Sequence, residues 1–192
     1  LAVAGFGLAL GAAAPQPAAA AAKPSVPPAV RGTDDRSIAV LPFLNLSGDK
    51  ENEYFSDGIA EEILNLLVKL PQLKVASRTS SFVFKGRTVN IRTVADELGV
   101  ASVLEGSVRQ AGGRVRITAQ LIDAATDTHL WSETYDREMK DVFAIQDDIA
   151  QSIVNALQMT LTPKERRSIQ FVATSDPNAY DHYLRGRSFM YS

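Results

Sequence analysis

The sequence contains no cysteine, only two histidines and a single tryptophan. Without cysteine the chain has no disulfide framework and no thiol nucleophile. The two histidines, His129 and His182, lie far apart in sequence, and there is no cysteine to supply further ligands. We therefore expect no ordinary zinc site. A glycine-rich phosphate-binding loop of either standard spacing is also missing. We therefore predict neither a metal nor a cofactor.

A basic excess is missing as well. Residues 37–162 contain 12 Lys and Arg against 17 Asp and Glu, so this part of the chain carries five more negative than positive charges. Proteins that bind nucleic acid present a basic face to the phosphate backbone. We expect no nucleic-acid partner for this fragment.

No apolar run reaches the length of a complete membrane span. Leu1 to Ala14 is apolar and uncharged, but a bilayer crossing needs ~20 residues. We interpret residues 1–14 as the C-terminal part of a transmembrane helix; a signal segment and a flexible Ala/Gly-rich tail are the alternatives. Residues 15–36 are rich in Pro and Ala and predict a semi-extended linker.

The stretch from Ser37 to Leu70 organises the rest of the chain. Ile38 to Leu44 has the composition of a strand, and a polar loop leads from it to an amphipathic helix. We expect Ser56 or Asp57 to cap this helix and Pro71 to end it. A second strand, Leu73 to Ser77, is predicted to lie parallel to the first.

A second helix and a strand-rich block come next. Asn90 and Gly99 suit the two ends of a helix over Ile91 to Leu98. Two segments, Ala101 to Gln110 and Arg114 to Ile122, are joined by Ala-Gly-Gly, which indicates a hairpin. Apolar and polar residues alternate in the second segment, which predicts a sheet with one solvated face. A further strand runs from His129 to Asp136 and places Trp131 and Tyr135 on one side, where we expect them to pack in the core.

The predicted fold is a single α/β domain over residues 37–162 with a mixed sheet in the order βαβαβββα. We expect the helices to cover one side of the sheet, the last of them running from about Asp141 to Thr160. Residues 163–175 are predicted to be a connector. Residues 176–192 begin a further helix. Its many aromatic residues predict that it packs against an element outside the given sequence. The domain is thus flanked by a membrane-span remnant and the start of a helical repeat.

Polar residues follow the first two strands where each one ends, at the edge where open α/β sheets bind ligands. Free backbone N–H groups, hydroxyls and one guanidinium there predict a pocket for an anion or small polar ligand. The candidate residues are Asn45, Ser47, Gly48, Ser77, Arg78, Thr79 and Ser81. The alternative is structural: serine and threonine hydroxyls usually cap helices and close turns.

No catalytic constellation emerges from the sequence. His129 lies within a predicted strand, and no nucleophile elbow accompanies it. The acidic pairs Glu61-Glu62 and Asp147-Asp148 lie beside apolar helical stripes and are typical of solvated faces. We expect this fragment to have no enzymatic activity.

Seven segments between Ser37 and Leu161 carry a family resemblance: IAVLPFLNLSGD, YFSDGIAEEI, SRTSSFVFKG, ADELGVASVLEGSVRQ, RVRITAQLIDA, HLWSETYDRE and VFAIQDDIAQSIV. In this order they resemble the TolB amino-terminal-like (FlgO-like) domain of bacterial envelope and signalling proteins. Such domains commonly follow one transmembrane helix and precede tetratricopeptide repeats, with a class III adenylate cyclase or winged-helix domain upstream. The final segment AYDHYLRGRSFMY resembles a first repeat helix.

The resemblance implies a non-catalytic interaction or signal-input module, anchored in the inner membrane and facing the periplasm. Its expected partners are a protein, bound through adjoining tetratricopeptide repeats, and the membrane, reached through the N-terminal span. Two alternatives are the sensory arm of a membrane-bound adenylate cyclase, with the parent chain an enzyme, and a small polar-ligand or anion-binding domain.

Overall fold

The computed structural model of the chain describes residues 35–169 and 176–190. Six strands form one sheet in the order β3-β1-β4-β5-β6, and the short strand β2 pairs with β4. The strands are β1 (Ser37–Val40), β2 (Leu44–Asn45), β3 (Lys74–Val75), β4 (Ser102–Ala111), β5 (Arg114–Asp123) and β6 (Thr128–Glu138). The helices are α1 (Glu53–Val68), α2 (Arg78–Phe82), α3 (Ile91–Leu98), α4 (Val142–Ala156), α5 (Pro163–Ile169) and α6 (Pro177–Met190).

The predicted mixed sheet is confirmed. β1 pairs in parallel with β3 on one side and with β4 on the other, and Ile38 lies opposite both Val75 and Ser102. β4, β5 and β6 then pair antiparallel in sequence order. β4 is therefore the strand at which the sheet changes from parallel to antiparallel pairing.

The predicted hairpin is confirmed, with its turn at Gly112 and Gly113. Both glycines have positive φ, 57° and 77°, which is the conformation that a two-residue hairpin turn requires. Along β5 the four apolar residues Val115, Ile117, Ala119 and Leu121 are fully buried, whereas Arg114 and Arg116 are exposed. Tyr135 is buried as expected, and Trp131 is partly buried against the same core.

The expectation that all helices cover one side of the sheet is wrong. Ile38 and Val40 of β1 belong to the larger core, under α1 and α4. Ala39, between them, belongs to a smaller core with Val94 of α3, on the opposite face of the sheet. All four residues of β1 are buried, and a strand buried on both faces needs cover on both sides.

Several element boundaries differ from the prediction. α1 begins at Glu53, after a 3-10 turn (Lys50–Asn52) that Asp49 caps by accepting from the Glu51 N–H. Neither Ser56 nor Asp57 is therefore the cap of α1. The second helix is confirmed: Asn90 accepts a hydrogen bond from the Arg92 N–H, and Gly99 ends the helix with a φ of 66°. The segment expected to be a connector contains α5, which begins at Pro163.

The last helix, α6, does have a packing partner within the chain, contrary to the prediction. Tyr180 and Leu184 are 4% and 2% exposed and belong to the core shared by α1 and α4. The interpretations of residues 1–14 and most of residues 15–36 lie outside the described residues. Within the described ranges, no helix combines the length and hydrophobicity that a membrane crossing needs.

Candidate functional site

A cavity of about 410 Å³ lies where α1, α2 and α6 meet, next to the 3-10 turn before α1. Its walls carry charges of both signs, from Lys50, Glu51, Glu53, Asp57, Glu61, Arg78, Lys85 and Arg187. α1 supplies three of the four carboxylates, Glu53, Asp57 and Glu61, because these residues lie on the side of the helix that faces the cavity. Most of the cations come from the segments that pack against it.

Glu61 is the most buried charge of this cluster, with 6% of its surface exposed. Its carboxylate contacts the Arg78 guanidinium of α2 at 3.1 Å and also the Arg187 guanidinium of α6. Arg187 reaches Glu62 as well, at 2.7 Å. A buried carboxylate needs such partners, because an unpaired charge in the interior is strongly destabilising. Glu61 thereby ties three helices together.

A second charge pair closes the other side of the cavity. The Lys85 ammonium donates a hydrogen bond to the Asp57 carboxylate at 2.6 Å and contacts Glu53 at 3.0 Å. Burial raises the pKa of Asp57 above its ordinary value, and the hydrogen bond from Lys85 partly offsets this effect. Burial, with a hydrogen bond to Asp181, also raises the pKa of Tyr54 at the cavity wall to about 12.

This arrangement is suited to holding helices together. The carboxylates of Glu61 and Asp57 are each engaged with a cation, and the Arg78 guanidinium also stacks over the Phe82 ring, 4.2 Å from its centroid. Within the described residues, no group of three or more His, Asp or Glu side chains is placed to hold a metal ion. The chemistry that the cluster supports is charge pairing.

Of the seven predicted site residues, Arg78 lines this cavity. Asn45 ends β2, and Ser47 and Gly48 lie in the turn after it. The Asn45 carboxamide accepts from the Ser47 N–H, and the Ser47 hydroxyl accepts from the Gln110 N–H. The Ser77 hydroxyl caps α2 by accepting from the Ser80 N–H. These hydroxyls have the structural roles of the alternative interpretation. Ligand binding by the seven residues stays a prediction.

The remaining two candidates differ in exposure. Thr79 is exposed on the first turn of α2, whereas Ser81 is fully buried. The hydroxyl oxygens of Ser81 and of Ser56 on α1 are both buried and have no hydrogen-bond partner among the described residues.

A second cavity, of about 480 Å³, is more apolar and lies between the loop before β2 and the loop that precedes α3. Leu44 and Leu46, at its rim, expose 61% and 54% of their surface. Leu44 and Leu46 alternate along the chain with the predicted site residues Asn45 and Ser47. The segment therefore presents its apolar residues, and not the predicted site residues, to this cavity.

Sequence reasoning missed the contribution of α6 to the first cavity. Leu184, Arg187 and Ser188 line it, although α6 begins more than 100 residues after α1 ends. One local signal was available: Gly58 lies inside a helix that is otherwise well formed, and glycine in a helix interior usually has a packing reason.

Comparison with known proteins agrees with the family resemblance. Residues 34–152 match the family model described as HilA/YgeH-like transcriptional regulator, second domain. A protein of Rhizobium meliloti (strain 1021) named "Putative adenylate cyclase 3" is 53% identical over 151 residues, which are 79% of this chain and 26% of that protein. The chain therefore spans roughly a quarter of that relative's length. A regulator and a cyclase are the two contexts that the resemblance implied.

Solved structures with a similar arrangement are more distant in sequence. TolB from Acinetobacter baumannii has 17% identity and a TM-score of 0.47, covering 63% of this chain and 28% of its own. Lipoprotein GNA1162 from Neisseria meningitidis has 23% identity and a TM-score of 0.46, covering 66% and 99%. LpoB from E. coli has 16% identity and a TM-score of 0.41, covering 53% and 56%.

Proposed function

The chain belongs to the family of HilA/YgeH-like transcriptional regulator second domains, and we propose that it is a non-catalytic interaction and signal-input module of a membrane-anchored signalling protein. The family occurs in a regulator, and the relative of 53% identity is named as a cyclase. A domain that accompanies different effectors is expected to supply input to them, because the chemistry differs between the effectors while the domain stays the same.

The observation that carries this proposal is the pairing of charges around Glu61. An active site needs groups that are free to bind or to exchange protons with a substrate. Here the buried carboxylate is held by Arg78 and Arg187 from two other helices. The cluster therefore favours a role in holding α2 and α6 in defined positions on α1, which a module that transmits a binding event requires.

We place the domain outside the cytoplasm, held at the inner membrane by a span that includes residues 1–14, and working with tetratricopeptide repeats that receive a protein partner. A protease-sensitive tag inserted after Thr162 tests the location. In intact spheroplasts, external protease should cut the tag. Protection until the inner membrane is broken would overturn this placement.

Ligand binding at Arg78 is the rival function, and one variant separates the two. For a protein-contact module, inorganic phosphate should leave the melting temperature of the purified chain unchanged, in the wild type and in Arg78→Ala alike. A photo-crosslinking residue at Phe189, which is 80% exposed, should capture a protein in cells, whereas one at the turn residue Thr126 should not. A phosphate-dependent rise in melting temperature that disappears in Arg78→Ala would favour the ligand-binding function instead.

A second candidate rests on the cyclase relative: the domain is the sensory arm of a membrane-bound class III adenylate cyclase. In that case the parent chain is an enzyme while the domain itself remains non-catalytic. The full-length protein should then form cyclic AMP from ATP, and the purified chain of 192 residues should form none. Turnover by the isolated chain would contradict both versions of the proposal.

A further inference from the structure

α6 is anchored at its first turn by a buried aromatic residue. The Tyr180 ring meets the Phe143 ring of α4 edge-on, with 4.6 Å between the centroids. Its hydroxyl accepts a hydrogen bond of 2.7 Å from the Gln146 side chain, which is itself buried. A buried amide paired with a buried hydroxyl fixes both groups, because either one left alone would be unsatisfied.

One turn further on, Leu184 fits into a notch on α1. The notch exists because residue 58 is glycine: a Cβ built on Gly58 would lie 2.6 Å from the Leu184 Cδ2 atom, far inside contact distance. Glycine within a helix lowers helix stability relative to alanine. α1 therefore carries a residue that is unfavourable for the isolated helix and favourable for close packing of α6.

The next turn of α6 carries the charged contact. Arg187 binds Glu61 and Glu62, which lie one turn beyond Gly58 on the same side of α1. At the opposite end of the contact, the Tyr54 hydroxyl donates to the Asp181 carboxylate, and the Arg185 guanidinium lies 4.6 Å from the Tyr54 ring centroid. Contacts on both sides of the notch fix the position of α6 along α1 as well as its orientation.

We propose that α1 carries a helix-binding surface, formed by Tyr54, Gly58, Glu61 and Glu62, and that its partner is α6 of the same chain. The surface is specific for a helix with aspartate, leucine and arginine at the spacing of 181, 184 and 187. Asp181 meets Tyr54, Leu184 meets Gly58, and Arg187 meets Glu61 and Glu62. These contacts therefore hold α6 in one position and one orientation on the α/β domain. This inference deepens the proposed interaction role, and its test needs no partner protein.

The notch predicts a reversal of sign between two backgrounds. In the otherwise wild-type chain, Gly58→Ala should lower the melting temperature, because the new methyl group displaces Leu184. In a Leu184→Ala background the space is free, so Gly58→Ala should raise the melting temperature through better helix propensity. A rise in melting temperature in both backgrounds would contradict the notch. If Gly58→Ala alone folds poorly, its effect in the Leu184→Ala background can still be measured, because that background has room for the methyl group.

The position of α6 can be measured directly because the chain has no cysteine. Spin labels at Val83→Cys and Met190→Cys, both exposed positions, report the distance between α2 and the end of α6. One narrow distance distribution is expected for the labelled chain, and Gly58→Ala should broaden or shift it. Gly186→Ala is the control, since a Cβ there meets no atom within 4 Å, and it should leave the distribution unchanged.

The charged contact has its own test in the same labelled chain. Glu62→Arg should broaden the distance distribution by repelling Arg187. Glu62→Gln, which removes the charge but can still accept a hydrogen bond from Arg187, should change the distribution much less. If neither Glu62→Arg nor Gly58→Ala changes the distance distribution, α6 is not held by this surface. Neither result depends on whether a partner protein exists, so failure here is distinct from failure of the proposed function.

Discussion

Gly106 of β4 is packed between β5 and the loop after β1. A Cβ at this position would meet the Thr118 carbonyl oxygen and would lie 2.8 Å from the Phe43 ring. Neither the strand backbone nor a ring that is 2% exposed can move away easily. The glycine is therefore required by space, although it lies in the interior of a strand, where glycine is otherwise unfavourable.

We expect Gly106→Ala to destabilise the protein by roughly 1–3 kcal/mol, the usual cost of overpacking a core. Gly186→Ala is the matched control, because it lies in open space on a helix and should stabilise by about 0.5–1 kcal/mol. Urea unfolding of the two variants measures both changes. Equal effects would contradict the steric explanation.

Ionisation of the Asp57 side chain opposes the stability of the folded protein. Burial raises its pKa above 3.8, so the native state binds more protons than the unfolded state as the pH rises through this region. Ionisation of Asp57 therefore lowers the free energy of unfolding between 3.8 and its folded pKa. Relative to the wild type, Asp57→Asn should become steadily more stable as the pH is raised across that window.

Asp136 provides the comparison of opposite sign. A hydrogen bond from the Arg114 guanidinium lowers its pKa, so its stabilising contribution is lost as the pH falls through the folded pKa. Relative to the wild type, Asp136→Asn should become less stable as the pH rises. Unfolding free energies measured from acid to neutral pH distinguish the two slopes, and identical slopes would contradict the assignment for Asp57.

At the scale of elements, α5 shows how a short helix is specified by its first turn. The Thr162 hydroxyl accepts from the Glu165 N–H at 3.3 Å, and the Glu165 carboxylate accepts from the Thr162 N–H at 2.7 Å. This reciprocal pair is a capping box, with Pro163 in the first helical position. It fixes a helix in a segment without a strong apolar pattern.

Thr162→Ala should cost about 1 kcal/mol of stability, because it removes the cap of a helix whose last residue, Ile169, is buried in the main core. Thr160→Ala, two residues earlier and exposed, should change the stability little. Chemical denaturation of both variants checks the difference. A loss of similar size in Thr160→Ala would show that the cap is not the cause.

The elements that the sequence predicts well are those whose signals are local. Asn90 and Gly99 delimit α3, and Gly112 with Gly113 turns the hairpin, because each acts through its own backbone conformation. The predicted start of α1 is wrong because Ser56 is a good cap by residue type, yet it lies in a buried part of the helix next to Phe55. Burial that depends on distant residues overrides a local preference.

The candidate site is predicted less completely than the fold, for the same reason. Arg78 lies in the cavity beside α6, but the residues that complete the charge cluster, Glu61 and Arg187, are 126 positions apart in sequence. No periodicity or motif connects them. The hydroxyls of Ser47 and Ser77 are identifiable by residue type, and the structure shows them closing a turn and capping a helix.

At the scale of the whole molecule, the larger core joins strands β1, β4 and β5 to α1, α4 and α6. A core shared in this way by strands and helices predicts cooperative unfolding of the described part of the chain. The only tryptophan, Trp131, reports on β6 at the far edge of the sheet, whereas the far-ultraviolet signal reports mainly on the helices. We expect the two signals to give the same denaturation midpoint. Separate midpoints would show that the helices and the antiparallel strands unfold independently.

The change from parallel to antiparallel pairing at β4 has a consequence for the order of folding. β4, β5 and β6 are consecutive and joined by short turns, so little chain entropy is lost when they pair. β1 pairs with β4 across the intervening helices, from Ile38 to Ser102, so this pairing closes a long loop and costs more entropy. We expect the antiparallel strands to form the folding nucleus and the parallel half to assemble on it. Ile117→Val should then slow folding, with a φ-value near one, and Ile38→Val should chiefly accelerate unfolding, with a φ-value near zero. Stopped-flow kinetics of these two fully buried positions would show which half of the sheet commits the chain to its fold.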